Sequence, residues 1–99
     1  MTLPNNIRIK ENSWIAKLAA KKLKSASIAI VIGKTIHLHN VSQQQFLQNE
    51  KWVKHELCHV DQFKTHGFLL FIFKYLWDST RNGYHKNKYE VAARAAEDL

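Results

Sequence analysis

Apolar side chains recur along this chain with two different periods, and the switch from one to the other predicts where helices and strands lie. Between residues 14 and 24 the apolar positions Trp14, Ile15, Leu18, Ala19 and Leu23 follow helical spacing, with Lys17, Lys21, Lys22 and Lys24 covering the remainder. Asn12 or Ser13 stands where such a helix would be capped. Ser27 to Ile32 is dense in β-branched residues, and Gly33-Lys34 can turn it back into a second short strand, Thr35–His39. Alternation along that strand puts Ile36 and Leu38 on one face and Thr35, His37 and His39 on the other.

From Ser42 onward the pattern is helical. Ser42 and Gln45 have the spacing of a capping box. Asn49 can cap a segment running through about Lys64, which His66-Gly67 would stop. Phe68 to about Arg81 is apolar on nearly every side, so burial by its neighbours or cover by a partner is expected. Asn82-Gly83 breaks that run, and Asn87 can cap a last, alanine-rich helix from Lys88 to about Asp98. The order read is helix, hairpin, then three helices, a mainly helical α+β fold. It forms one domain over 1–99, in which 1–12 is a polar N-terminal arm.

Composition narrows the class. At 99 residues, 45% hydrophobic and 23% charged with three Gly and one Pro, the chain has material for one core and excludes collagen-like or disordered classes. Its one cysteine excludes an internal disulfide framework and a four-cysteine zinc site, and a free thiol fits a reducing compartment. The N-terminus lacks the apolar core of a secretory signal. The greasy run Phe68–Trp77 is interrupted by Lys74 and falls short of the ~20 residues a membrane span needs. A cytoplasmic chain without a transmembrane segment is the expectation. Fifteen Lys and Arg against eight Asp and Glu give a net charge of +7. That excess raises nucleic acid or an anionic membrane as partners, although no recognised nucleic-acid motif accompanies the lysines. The lysine-rich first helix reads either as a solvated face or as a basic amphipathic binding helix.

The chemistry concentrates in His55-Glu56-Leu57-Cys58-His59, an HExxH. Residues four apart stand one above the other on a helix, so both imidazoles point the same way and can bind one metal ion. Glu56 is rotated by ~100° from His55 and falls beside the ion's open position, where it can serve as general base toward a zinc-activated water. Chance would produce such a motif in roughly 2% of shuffled chains. Leu57 and Val60 supply a buried face, and Trp52 and Phe63 bracket the histidines with apolar walls.

A catalytic zinc needs a third protein ligand. The extended HExxHxxGxxH pattern fails, since Gln62 and Thr65 occupy its later positions, and His66 misses the place by one residue. Glu90 at the start of the last helix is the better candidate, because the 68–81 helix can carry the chain back across the domain to the metal. A second reading of Glu90 stays open: Asn87 to Glu90 also has capping-box spacing. Glu97, two turns further on, is the reserve ligand.

With HExxH on one helix and a glutamate on a later one, the chain resembles the gluzincins, and in size the minimal single-domain members. Lys51 to Phe63, Gly67, Gly83-Tyr84 and Tyr89-Glu90-Val91-Ala92-Ala93 are also similar to small bacterial metallopeptidase-like domains. The resemblance covers about Thr35 to Leu99 and implies zinc held by His55, His59 and Glu90, with Glu56 as general base and acid. Many gluzincins carry an acidic residue four positions after the glutamate ligand to orient a histidine. Arg94 stands there instead, so Glu97, Asp98 or a backbone carbonyl would have to serve. Larger members also carry a C-terminal subdomain with a transition-state stabiliser. Here Tyr84, foremost, or His85 or Tyr89 would donate to the developing oxyanion, while an ordinary loop tyrosine is the other reading of Tyr84.

The strand Thr35–His39 reads either as an ordinary edge or as a free edge that holds an extended peptide. His37 and His39 are lesser ligand candidates, and Cys58, on another helix face, reads as a packed residue. Three functions follow in order. The first is a zinc-dependent peptidase acting on a peptide or protein. The second is an inactive metallopeptidase-like binding or assembly module contacting a protein partner through helix 68–81. The third is a basic nucleic-acid-binding domain.

Overall fold

The computed structural model describes residues 3–99; Met1 and Thr2, the start of the expected arm, lie outside the described residues. Five helices and a three-stranded sheet follow one another as β1 (Arg8–Lys10), α1 (Trp14–Leu23), β2 (Ile28–Ile32), β3 (Thr35–His39), α2 (Gln43–Gln48), α3 (Glu50–His66), α4 (Phe68–Asn82) and α5 (Lys88–Ala96). The mainly helical α+β expectation holds. The stretch after the hairpin holds four helices where the order read counted three: the segment opened by the Ser42 capping box forms a short helix of its own, α2, ahead of the one that Asn49 caps as expected.

The predicted hairpin is present, with Ile32 opposite Thr35 and Ile28 opposite His39. Gly33 makes its turn at φ +65°, a left-handed conformation that favours glycine. The N-terminal arm is not wholly irregular, however. Its Arg8-Ile9-Lys10 pairs parallel to β3, giving the order β1-β3-β2. β3 is therefore the central strand, and the free edge expected on Thr35–His39 belongs to β2 instead. β3 is paired along both edges, and its two faces are covered as well. Ile36 and Leu38 are fully buried in the core with Val31, Phe46, Val53, Val60, Phe63, Phe71 and Tyr89. On the other face His37 is also buried, its Nδ1 2.8 Å from the Oγ of Ser13 at the start of α1.

α1 turns a different side to the sheet than its large residues suggest. Ala16 and Ala20 are buried, whereas Trp14, Leu18 and Leu23 are exposed. Positions two apart on a helix differ by ~200°, so Trp14 and Leu18 point away from Ala16 and Ala20, and of the apolar positions read only Ile15 and Ala19 flank the packed face. Alanine allows the helix axis to come close to the sheet. Of the two expectations for helix 68–81, burial by its neighbours is not met, which leaves cover by a partner: on α4 only Phe71 is buried, and Leu69, Phe73 and Trp77 are about two-thirds exposed. No helix among the described residues is long and apolar enough to cross a membrane.

Caps fix the helices that build the site. Ser42 and Gln45 form both bonds of the predicted capping box. The Asn49 side chain accepts from the Trp52 N–H to start α3, and Gly67 at φ +83° ends it. At α5 the Asn87 carboxamide oxygen accepts from the Tyr89 N–H, while its nitrogen donates to the Tyr75 carbonyl and to Ser79 Oγ on α4. This fully buried asparagine fixes the start of α5 against α4.

Candidate metal centre

α3 carries His55 and His59 one turn apart, with ring centroids 5.1 Å from each other. α5 lies along α3 and brings Glu90, in its first turn, against both rings. Glu90 Oε1 stands 3.2 Å from His55 Nε2 and 3.1 Å from His59 Nε2. Its second oxygen accepts the Tyr75 hydroxyl from α4. The capping-box reading of Glu90 is set aside by these contacts, because the Asn87 side chain takes the Tyr89 N–H and the Glu90 carboxylate faces the histidines.

The far side of each ring is held as well. His55 Nδ1 is 2.8 Å from Glu97 Oε2, and His59 Nδ1 is 2.8 Å from Gln62 Oε1. Gln62 is itself fixed, its amide nitrogen donating to the Tyr89 carbonyl at 3.1 Å. An acceptor thus faces each of the two nitrogens on each ring. Carboxylate and carboxamide oxygens accept only, so each Nδ1 carries a proton. Each Nε2, facing Glu90, must carry a second proton or direct its lone pair at a cation.

The electrostatics follow from this. Burial works to lower the His55 pKa, but the Glu90 hydrogen bond, the Glu56 charge and the Glu97 hydrogen bond override it and raise it to about 9. His59 is raised as well, against its burial, by the Glu90 hydrogen bond, the Glu90 and Glu56 charges and the Gln62 hydrogen bond. Burial likewise works to raise Glu90, yet hydrogen bonds to His55, His59 and Tyr75 hold it well below the usual carboxylate range. Glu56 is different. Buried and facing no cation directly, it is pushed up to about 7 by desolvation, with the two histidines' charges and a Trp52 hydrogen bond opposing.

The donor atoms of His55, His59 and Glu90 all lie within 4.8 Å of one another, a group that can hold a metal ion. Zinc bonds of ~2.0–2.1 Å in a tetrahedron set neighbouring ligand atoms ~3.3 Å apart. The observed 3.1 and 3.2 Å separations between Glu90 and the imidazole nitrogens are close to that edge. Two neutral imidazoles and one carboxylate suit zinc, and each imidazole already has an outer partner to fix its tautomer.

Two hollows flank the centre and share Ile28, Ala29, His55, Glu56 and Tyr84. One, of about 490 Å³, extends past Asn49, Lys51 and Trp52 and mixes polar and apolar walls. The other, of about 460 Å³, is walled by β2 and by α1 and α4 side chains and is apolar. Together they make a groove along the free edge of β2. Of the three residues considered as oxyanion donors, Tyr84 borders this groove beside Glu56, Tyr89 is packed among Phe71, His66 and Tyr75, and His85 lines neither hollow. Burial, with the Glu90 and Glu56 charges, pushes the Tyr84 hydroxyl up to about 12.

The remaining sequence candidates stand apart from the cluster. His66 stacks on Phe71, and His37 is engaged by Ser13. Cys58 receives the Gln62 amide at 3.6 Å, and burial raises its thiol pKa. Glu97, the reserve ligand, sits behind His55 rather than beside Glu90. Tyr75 and Gln62 are functional neighbours that the sequence did not flag. Gln62 lies one turn after His59, the spacing at which a helical side chain can reach back to a ring nitrogen. Tyr75 is the one hydroxyl-bearing aromatic of α4, one turn beyond the buried Phe71. Comparison with protein-family models, with curated proteins and with solved structures finds no match to this chain.

Proposed function

We propose that this chain is a zinc-dependent hydrolase that cleaves peptide bonds, a minimal metallopeptidase of the gluzincin type. One observation carries the reading: His55 and His59 present Nε2 to a shared Glu90 oxygen while Glu97 and Gln62 hold their Nδ1 atoms. A solvated helix carrying two histidines by chance has no need of four such contacts to three partners. When bound, a zinc ion supplies Lewis acidity, polarising a carbonyl and lowering a coordinated water's pKa to ~7.

The protein's own groups supply the rest. Glu56, buried beside the two histidines, is placed to take a proton from the attacking water, and its desolvation favours accepting one. The water's OH adds to the carbonyl carbon, the carbon–nitrogen bond breaks, and Glu56 returns the proton to the departing amine. Tyr84 stays protonated throughout this pH range and can donate to the carbonyl oxygen as its negative charge grows. The β2 edge, unpaired among the described residues, offers backbone groups to an extended peptide lying along the groove.

The experiment is a pair of substitutions read by metal content and by turnover of a diverse peptide library. His55→Ala should lose the metal, and Glu56→Gln should keep about one zinc per chain while losing hydrolysis. Turnover that survives Glu56→Gln rejects the mechanism. Full zinc loading of the unsubstituted chain with no turnover would favour a metal-bearing binding module instead.

A further inference from the structure

α4 leaves a broad apolar face uncovered. Leu69, Phe73, Leu76 and Trp77 fall on one stripe at helical spacing, and all are more than half exposed. Across the apolar hollow α1 contributes Leu23 and Lys22 to the opposite rim, so both helices border the same opening. α1 also exposes Trp14 and Leu18.

Charge on the outer rims of this opening is mostly positive, while Glu56 and Glu90 of the histidine cluster also line the hollow. No Asp or Glu occurs between Glu11 and Glu50, a stretch that holds α1, β2 and β3 together with Lys17, Lys21, Lys22, Lys24 and Lys34. Asp78 is the one acid on α4, and its carboxylate is occupied by the Lys88 N–H and the Asn82 amide. Lys64, Lys74 and Arg81 add cations at or beside α4. Acids instead concentrate at the metal centre and along α3 and α5, as Glu50, Glu56, Asp61, Glu90, Glu97 and Asp98.

We infer that the apolar rims of α1 and α4 dock on the surface of an anionic lipid bilayer, with the mouth of the groove toward the membrane. Exposed tryptophan, phenylalanine and leucine beside lysine is the composition of helices that lie in the headgroup region: rings enter the acyl boundary while ammonium groups meet anionic headgroups. α4 at 15 residues is ~22 Å long, too short to span the ~30 Å hydrocarbon core but sufficient to lie in its boundary. A second copy of the chain is the less suitable occupant, because pairing two such faces brings mostly like charges together, Asp78 being the one acid on α4.

Vesicle cosedimentation tests this on the intact zinc-loaded protein. Partition should be weak on phosphatidylcholine vesicles and rise with added phosphatidylglycerol, accompanied by a blue shift of tryptophan emission. Phe73→Ser or Trp77→Ser, each at an exposed position, should weaken partition about tenfold or more. Neutralising Lys21 and Lys22 as glutamines should cost about fivefold per lysine. Circular dichroism verifies that each variant is folded, and Glu56→Gln should bind vesicles as the unsubstituted protein does, whatever its hydrolytic activity. No partition to anionic vesicles, or partition indifferent to Phe73 and Trp77, would overturn the inference. So would a stable dimer in solution that Phe73→Ser dissociates, which would assign the face to a second copy.

Discussion

Glu97 offers a direct probe of how the centre is held. Its carboxylate stands 2.8 Å from His55 Nδ1, with the two side chains 31% and 16% exposed, so their interaction is only partly screened by water. A metal ligand must be the neutral imidazole with its lone pair on Nε2, and Glu97 selects that form by accepting a hydrogen bond from Nδ1–H. It also fixes the ring's rotation. Loss of such an outer partner costs roughly 10- to 100-fold in metal affinity. Glu97→Ala should therefore weaken zinc binding by about that factor, and Glu97→Gln, which keeps an acceptor and loses the charge, by less. Asp98→Asn provides the control. It removes the same charge from the neighbouring residue, but Asp98 is 78% exposed and paired only with the exposed Lys51 at 3.7 Å. An exposed pair is worth ~1 kcal/mol or less, which sets an upper bound of about fivefold on its effect. Competition against a chromogenic chelator at fixed pH and ionic strength reads all three. Equal losses from Glu97→Gln and Asp98→Asn would mean that only the general field matters. No loss from Glu97→Ala would refute the orienting role.

Other outcomes follow from the same contacts. Against its burial, the neighbouring carboxylates raise the His55 pKa to about 9 in the metal-free centre, and His59 is raised too, so a zinc ion binding there would have to displace protons below that pH. Apparent zinc affinity should then climb ~10-fold or more per pH unit from 7 to 9, with proton release measured calorimetrically in buffers of different ionisation enthalpy. The sign for metal-free stability is opposite. A pKa raised from 6.5 to about 9 means that the folded state binds the extra proton, so its stabilisation is complete below pH 6.5 and lost as pH rises through 9. The metal-free melting temperature should fall over that window and hold steady when zinc is saturating. Asn87→Ala removes a helix cap and two further hydrogen bonds of a fully buried side chain, at a cost of roughly 2–4 kcal/mol in urea unfolding. A change under 1 kcal/mol would deny Asn87 its role in joining α5 to α4.

Much of the centre was legible because its parts are local. HExxH spacing, the Asn49 cap and the Gly67 stop define α3 within one stretch of chain. Glu90 sits at a helix start whose cap, Asn87, is also a sequence signal. The features that escaped are those decided by distant partners. β1 is three residues long and exists because β3 offers an edge to it, although Ile7-Arg8-Ile9-Lys10 does alternate. Missing it put the free edge on the wrong strand. The α1 face was misread because alanine packs closest to the sheet, which a wheel weighted by hydrophobic size ignores. α4 was expected to be covered by its neighbours, but α1, β2 and α4 leave the groove open between them. Tyr75 and Gln62 carry no motif, and their role depends on where α5 arrives.

X-ray anomalous scattering at the zinc edge, from crystals of metal-replete protein, tests the central claim most directly. The account predicts one zinc per chain, bound by the Nε2 atoms of His55 and His59 and by a Glu90 oxygen, with a fourth position facing the groove. A centre without metal under those conditions, or an ion bound elsewhere with Glu90 turned away, would contradict it.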